Sequence, residues 1–333
     1  MRPALKTQLC ELLGIEYPIV QAGMGFVARA ELAAAVSRAG ALGVIGSAFL
    51  TLHQLREEIH KVRDMTDKPF GVDILFATYG RPSSDPRIEE FTDEVRKQID
   101  IVFEERVPVL ASGLGNPAPV VPQAHELGIK VISLVGNTKN AKRVADGGVD
   151  VIVAQGYDGG GHTGRVGTFT LVPAVVDCIR QPVVAAGGMA DGRGLVAALA
   201  MGAVGIWMGT RFVASNEAFA HMNYKTKIAE IDDEGTTRTR CFTGKPCRVI
   251  KNKTTAAWEG REAEVEPFPI QIAKISEELG ENIYEAARLH GKIDIGSCAA
   301  GQVSALIHEI KGAAEIVSDV MKEAEEILSR LGA

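Results

Sequence analysis

Eight short runs of apolar and β-branched residues recur along the first two thirds of the chain, each followed by a segment whose apolar positions have helical spacing. The runs are uniformly apolar rather than alternating, which is typical of parallel strands covered on both faces. They lie at residues 18–23, 42–47, 69–75, 107–113, 130–136, 149–156, 182–188 and 204–210.

The intervening segments carry helix start and stop residues. Residues 28–40 end in Gly40, and residues 51–66 begin with Thr51, a good N-cap. Eight βα units predict a (β/α)8 TIM barrel, with a doubly wound parallel sheet as the alternative. The roughly even repeats, without a long crossover, favour closure into a barrel.

The alternation of strand and helix patterns stops at residue 213. The following residues are polar and rich in Thr, Lys and Arg, and helical patterns return at 270–291 and 301–331. We therefore expect a barrel domain at 1–213 and a smaller helical cap at 214–296, inserted after the eighth strand. The C-terminal segment 297–333 is expected to return to the barrel.

Composition narrows the class of protein. The net charge is −6 and aromatic residues make up 5%, so neither a basic patch nor a base-stacking platform for nucleic acid is indicated. The five cysteines form no C-x-x-C, and no pair of histidines has metal-ligand spacing. The chain has no apolar run of membrane-spanning length. We expect a cytoplasmic protein that holds no metal and has no nucleic-acid or membrane partner. The sequence is compatible with either a monomer or a homodimer.

In TIM barrels the loops after the strands carry the chemistry. After the sixth run the sequence reads GYDGGGHTGRVG, which contains a G-x-G-x-x-G match and His162. The match is rejected as a dinucleotide turn because the acidic residue about 20 positions on, Asp177, falls inside a helical pattern. The remaining interpretation is a catalytic histidine on a glycine-rich loop that leaves room for a flat ligand.

Two further loops predict an anion site. Gly187 and Gly188 follow the seventh strand at the start of a helix, and Gly209 and Thr210 follow the eighth. Loops 7 and 8 form the usual phosphate site of this barrel, where backbone N–H groups face the ligand.

Several motifs, taken in order, resemble the nitronate monooxygenase (2-nitropropane dioxygenase) family, which includes related flavin-type enoyl-acyl carrier protein reductases and NAD(P)H:quinone reductases. The likeness is carried by PIVQAGMG, PFGVDIL, AQGYDGGGHTG, the stretch from PVVAAGGMADGRG to WMGTRF, HMNYKTKI, RVIKN and SCAAGQVSALI. The resemblance implies an FMN-containing TIM barrel with a helical cap.

The resemblance also assigns residues. His162 falls on the family's catalytic histidine, and Asp73 stands where many relatives carry Asn near the flavin. The implied cofactor-binding residues are Ala22, Gly23, Met24, Asp73, Gln155, Gly160, Gly161, Gly187, Gly188, Gly209, Thr210 and Gln302.

The family match favours FMN-dependent oxidation of nitronates or nitroalkanes with O₂. The alternative is reduction of an enoyl thioester, carried by CoA or acyl carrier protein, or of a quinone, with NADH or NADPH as the reductant. A non-redox barrel that binds a phosphorylated ligand is a third hypothesis. Basic residues that could contact a carrier phosphate are Lys225, Lys227, Arg248, Lys251 and Lys253.

Overall fold

Each of the eight predicted runs overlaps a strand in the computed structural model, which describes residues 2–76 and 92–332. The strands are β1 (Ile19–Gln21), β2 (Gly43–Gly46), β3 (Phe70–Phe76), β4 (Val109–Gly115), β5 (Lys130–Val135), β6 (Val151–Gln155), β7 (Gly161–His162), β8 (Val183–Ala186), β9 (Gly205–Met208), β10 (Thr236–Thr239) and β11 (Cys247–Ile250).

Helices follow most barrel strands, as the apolar spacing predicts. They are α1 (Gln8–Leu13), α2 (Ala30–Arg38), α3 (Leu52–Met65), α4 (Asp93–Glu104), α5 (Val121–Glu126), α6 (Thr138–Asp146), α7 (Thr168–Val176), α8 (Gly192–Ala200), α9 (Thr210–Val213), α10 (Met222–Glu230), α11 (Lys253–Ala257), α12 (Ile270–Leu279), α13 (Ile283–Arg288) and α14 (Ala313–Leu331). Short 3₁₀ turns lie at Pro3–Leu5, Ala118–Val120, Glu262–Glu264 and Gln302–Leu306. No helix within the described ranges is long and apolar enough to cross a membrane.

Eight parallel strands form the barrel in the order β1-β9-β8-β6-β5-β4-β3-β2. A parallel bridge between Val20 and Leu42 joins β1 to the segment leading into β2, which brings the two ends of the sheet together. The closed (β/α)8 arrangement predicted from the sequence is confirmed, and the doubly wound alternative is wrong.

Alternate residues of each strand face two different apolar cores. Along β8, Val184 and Ala186 belong to the core inside the barrel, whereas Val183 and Ala185 belong to the core between strands and helices. Both faces of the barrel sheet are therefore buried in apolar cores, which explains the uniformly apolar runs in the sequence. Leu9 and Leu13 of α1 pack into the interior core.

The predicted helix at 51–66 shows how local signals set its bounds. Thr51 accepts a hydrogen bond from the Gln54 backbone N–H, while the Gln54 side chain accepts one from the Thr51 backbone, which completes a capping box. Leu55, Ile59 and Val62 are buried at helical spacing on one face of α3.

The cap between α9 and α14 is only partly helical. It contains α10 to α13 and a three-stranded antiparallel sheet in the order β10-β11-β7, whose third strand comes from the loop after β6. The predicted helix at 270–291 is divided by Gly280, which is left-handed with φ +68°. Of the predicted helix at 301–331, only α14 is α-helical, because a 3₁₀ turn occupies Gln302–Leu306.

The last helix, α14, packs against α8 and α2. A Cβ on Gly192 would lie 2.4 Å from the Ala324 backbone nitrogen, so α8 and α14 are in close contact. Since α8 precedes β9 and α2 follows β1, α14 occupies the place of the helix after the eighth barrel strand. The cap is thus inserted between that strand and its helix.

Candidate active site

A cavity opens at the carboxyl ends of the barrel strands, under the cap. Its space, including the mouth, is about 1490 Å³. Twelve of the thirteen residues proposed from the sequence line it: Ala22, Gly23, Met24, Asp73, Gln155, Gly160, Gly161, His162, Gly187, Gly188, Gly209 and Thr210. Gln302 is not among the lining residues; it is exposed, and its backbone N–H donates to the Asp158 carbonyl at 3.0 Å. Its neighbours Gly301 and Val303 line the cavity instead.

The loops after β8 and β9 form a cradle of backbone donors. The N–H groups of Gly188, Gly209 and Thr210 have no acceptor among the described residues, whereas Gly187 directly follows Ala186, which pairs with Trp207 of β9. Gly187 and Gly188 have φ of +93° and +75°, a conformation that favours glycine. A Cβ on Gly188 would meet no atom within 4 Å and would point into open space. Three free donors beside this open space are suited to an anion.

Asp73 forms the floor of the cavity between two glycines. A Cβ on Gly23 would lie 2.2 Å from the Asp73 Cβ, and one on Gly113 would lie 2.6 Å from Oδ2. The Gly113 N–H donates to Asp73 Oδ1 at 2.6 Å. Burial raises the pKa of this carboxyl well above 3.8, and the Gly113 hydrogen bond only partly opposes that effect. This carboxyl therefore keeps its proton to a higher pH than an exposed aspartate does.

His162 is held in a strand rather than in an open glycine loop. It lies on β7, paired with Cys247 of β11, and its Nε2 is 3.1 Å from Thr243 Oγ1. The Thr243 hydroxyl donates to the Lys245 carbonyl at 3.0 Å, so its oxygen accepts from His162 Nε2–H. This pairing leaves Nδ1 with the lone pair that can accept a proton.

Burial and two cations from the cap lower the pKa of His162. Burial is the main cause that lowers its pKa to about 4, and the positive charges of Lys245 and Arg288 lower it further. The imidazole is neutral at pH 7. Arg288 is buried, donates from Nη1 to the Gly25 carbonyl at 2.7 Å, and lies 4.8 Å from the Tyr284 ring centroid.

An aromatic cluster at the cavity mouth was not identified from the sequence. Phe26 and Phe49 stack with centroids 4.8 Å apart, and Tyr284 lies 4.7 Å from Phe49. Phe26 and Phe49 have φ of +67° and +72°, which is unusual for bulky residues. Phe49 is 50% exposed, so the cluster presents an apolar ring surface beside Arg288.

The basic residues proposed as carrier contacts do not form one surface. Lys225 is buried and donates to the carbonyls of Ser215 and Asn216, while Lys253 pairs with Asp294 at 3.0 Å. Lys227 is half-buried and Lys251 is exposed. Arg248 is 3% exposed and faces Tyr157. Among the described residues, no group of three His, Cys, Asp or Glu side chains is placed to hold a metal ion.

Fold and site together define a (β/α)8 barrel with backbone donors for an anion on the loops after β8 and β9 and a histidine of lowered pKa under a cap. The chain belongs to the nitronate monooxygenase family, whose family model matches residues 6–323. The family assignment made from the sequence is confirmed, and the protein is an oxidoreductase in kind.

The relatives name several reactions. A (3aS,4S,5R,7aS)-5-hydroxy-7a-methyl-1-oxo-octahydro-1H-indene-4-carboxyl-CoA dehydrogenase from Rhodococcus jostii is 33% identical, with 99% of this chain and 98% of the relative covered. FabK from Thermotoga maritima has a TM-score of 0.86 at 38% identity, with 98% of each chain covered. A nitroalkane oxidase from Streptomyces ansochromogenes has a TM-score of 0.85 at 26% identity, with 97% and 99% covered.

Proposed function

We propose that the cavity binds FMN, with the phosphate on Gly187, Gly188, Gly209 and Thr210. The backbone N–H groups of Gly188, Gly209 and Thr210, which have no acceptor among the described residues, support this, because a phosphate dianion would satisfy them. Glycines leave room for a flat ring between the floor at Gly23 and the wall at Gly160. The raised pKa of Asp73 disfavours a negative charge on its carboxyl, which suits a ring that gains negative charge on reduction.

We further propose oxidation of nitronates with O₂ as the reaction. The observation that carries it is a neutral imidazole on the cavity wall flanked by Arg288 and Lys245. A nitronate is an anion, so both cations would stabilise it, and it needs no proton removed before oxidation. Bound FMN would supply the redox chemistry. The chain itself would bind and orient the anion, and Nδ1 of His162 would take the α-proton when a neutral nitroalkane is the substrate.

The test measures oxygen uptake by the flavin-loaded protein with propyl-2-nitronate and with 2-nitropropane. We expect turnover of both. His162→Asn should reduce kcat/KM for the nitroalkane by roughly 10²–10⁴-fold, because that substrate needs the base, and should reduce it much less for the nitronate.

Arg288→Met should raise KM for the nitronate, while Arg180→Met, at an exposed site, should leave it unchanged. Absence of oxygen uptake with any nitronate would rule the proposed reaction out.

NAD(P)H-dependent reduction of an enoyl thioester is the second candidate. It is favoured by the 38% identity to FabK and by the relative described as a carboxyl-CoA dehydrogenase. The measurement that discriminates between the two reactions is anaerobic mixing of the flavin-loaded protein with NADH or NADPH. Rapid bleaching of the flavin followed by reoxidation with an enoyl-CoA would establish this reaction, and a flavin that keeps its colour would eliminate it.

A further inference from the structure

Three arginines gather on the cap, outside the residues that line the cavity. On the antiparallel pair β10–β11, Arg238 and Arg248 stand directly opposite each other. Arg165 lies close enough that its charge lowers the pKa of Arg238. Like charges directly opposite on one sheet face destabilise the sheet. We call Arg165, Arg238 and Arg248 the arginine cluster.

The contacts of the cluster do not neutralise it. Arg248 donates from Nε to the Tyr157 carbonyl and from Nη1 to Thr236 Oγ1, both at 3.1 Å, yet its buried Nη2 has no partner. Arg238 makes one long contact, from Nη2 to the Thr163 carbonyl at 3.5 Å, and its buried Nε has no partner. Both guanidinium groups lie over the Tyr157 ring, at 4.5 and 5.5 Å from its centroid.

Within the described part of the chain, no carboxylate forms an ion pair with any of the three arginines. Arg248 is 3% exposed, and removing a guanidinium from water without a counter-charge is costly. Burial lowers the pKa of Arg238, and the charges of Arg165 and Arg248 lower it further. A bound dianion would resolve both the repulsion and the unsatisfied donors.

The position of the cluster indicates what would carry that dianion. Arg248 pairs with Gly161, and the preceding residue, Cys247, pairs with His162. Since neighbouring side chains in a strand point to opposite faces, the arginine side chains and His162 lie on opposite faces of the small sheet. Tyr157, on which the arginines stack, begins the loop that ends at His162. The small sheet separates the cluster from the cavity, so only an extended ligand that passes the edge of this sheet would join a reacting end beside His162 to a remote charge on the cluster.

We propose that the arginine cluster binds a ribose phosphate monoester, the group that NADPH carries at the 2′ position and CoA at the 3′ position. Guanidinium forks match phosphate oxygens in pairs, and arginines near the ribose are a known means of binding a 2′-phosphate. Of the five basic residues suggested by the sequence, Arg248 alone belongs to this site. Phosphate binding at the arginine cluster does not depend on nitronate oxidation, because the titration described below measures binding without turnover.

The test is calorimetric titration of the flavin-loaded protein, whose FMN site is filled, with adenosine 2′,5′-bisphosphate, adenosine 3′,5′-bisphosphate and AMP. One bisphosphate should bind at least tenfold tighter than AMP, and the tighter one identifies the source, NADPH or CoA. Arg238→Gln should remove that preference. Lys251→Gln, which deletes an exposed charge just after β11, should keep it. Equal affinity for all three nucleotides, or equal loss in both variants, would overturn the proposal.

The melting temperature shows whether the Arg238→Gln variant is folded. Arg238→Gln relieves the repulsion with Arg248, so its melting temperature in phosphate-free buffer should equal or exceed that of the unmodified protein. The preferred bisphosphate should raise the melting temperature of the unmodified protein and leave that of the variant unchanged. An equal rise in both proteins, or an equal rise with inorganic phosphate alone, would contradict the nucleotide site.

Discussion

Asp73 is the residue whose charge in the fold differs most from what its type in the sequence suggests. Its type suggests a negative charge near the flavin position, but its pKa is raised well above 3.8 by burial between Gly23 and Gly113. No sequence pattern reveals this, because both glycines come from other strands. The charge state of a side chain depends on neighbours that only the fold brings together.

Asp73→Asn should stabilise the protein at alkaline pH. A carboxyl whose pKa is raised by folding contributes stability that is fully present below 3.8 and is lost as pH rises through the folded pKa. Asparagine keeps the acceptor for Gly113 N–H and does not titrate. Urea unfolding at pH 5 and pH 8 should show a larger gain at pH 8. Asp64→Asn, at an exposed site, should show the same small effect at both values.

Thr243 is expected to position His162. It is 1% exposed, and its oxygen accepts the Nε2–H that keeps the lone pair on Nδ1. Thr243→Val should lower kcat for a nitroalkane by roughly 10- to 100-fold with little change in KM, because the imidazole loses its fixed tautomer and orientation. Thr243→Ser should recover most of the activity. A loss of the same size in both variants would mean that the hydroxyl has no positioning role.

At the scale of elements, the strands were predictable because their cause is local. A parallel strand buried on both faces needs a continuous apolar run, and all eight runs overlap strands. The cap sheet was not predictable, since β7 has two residues and exists only by pairing with β11. Arg288 and Lys245 were missed for the same reason. Arg288 lines the cavity from the cap, Lys245 acts only through its charge on His162, and no motif marks either residue.

The loop after β6 is held by the segment before the 3₁₀ turn at Gln302–Leu306. A Cβ on Gly160 would lie 2.7 Å from the Ala300 carbonyl carbon, so these backbones are in contact. Gly160→Ala should cost about 1–3 kcal/mol in the free energy of unfolding and weaken FMN binding, because it pushes the segment off the cavity wall.

Gly167→Ala is the matched control in the same loop, since a Cβ there meets nothing within 4 Å. Urea unfolding and FMN titration of the stripped protein measure both effects. If both variants bind FMN equally well, the contact at Gly160 does not shape the cavity.

At the scale of the whole molecule, α14 completes the helical layer of the barrel. Ile316 is 2% exposed in the core between strands and helices, whereas Leu331, near the end of the same helix, is 67% exposed. Ile316→Ala should lower the free energy of unfolding by about 2–5 kcal/mol. Leu331→Ala should change it by no more than about 0.5 kcal/mol. Equal effects would show that α14 does not stabilise the barrel.

The barrel and its anion cradle could be predicted from the sequence because strand runs and glycine positions are short-range signals. The anion cradle at Gly187, Gly188, Gly209 and Thr210 needed only the strand count. The return of residues 297–333 to the barrel was also expected from the sequence, but the place of α14 in the helical layer, against α8 and α2, was not. That place is set by long-range packing, which periodicity does not encode.

The insertion of the cap before α14 has a consequence for synthesis on the ribosome. The eight strands emerge first, but the helix that covers the seam between α8 and α2 is translated only after the whole cap. Until then the nascent chain exposes an apolar groove, while the cap forms beside it. Domains generally fold from the N-terminus as they are made. Here a helix that is made after the cap shields the earlier helices α2 and α8, so ribosome stalling within the cap would leave their apolar faces exposed.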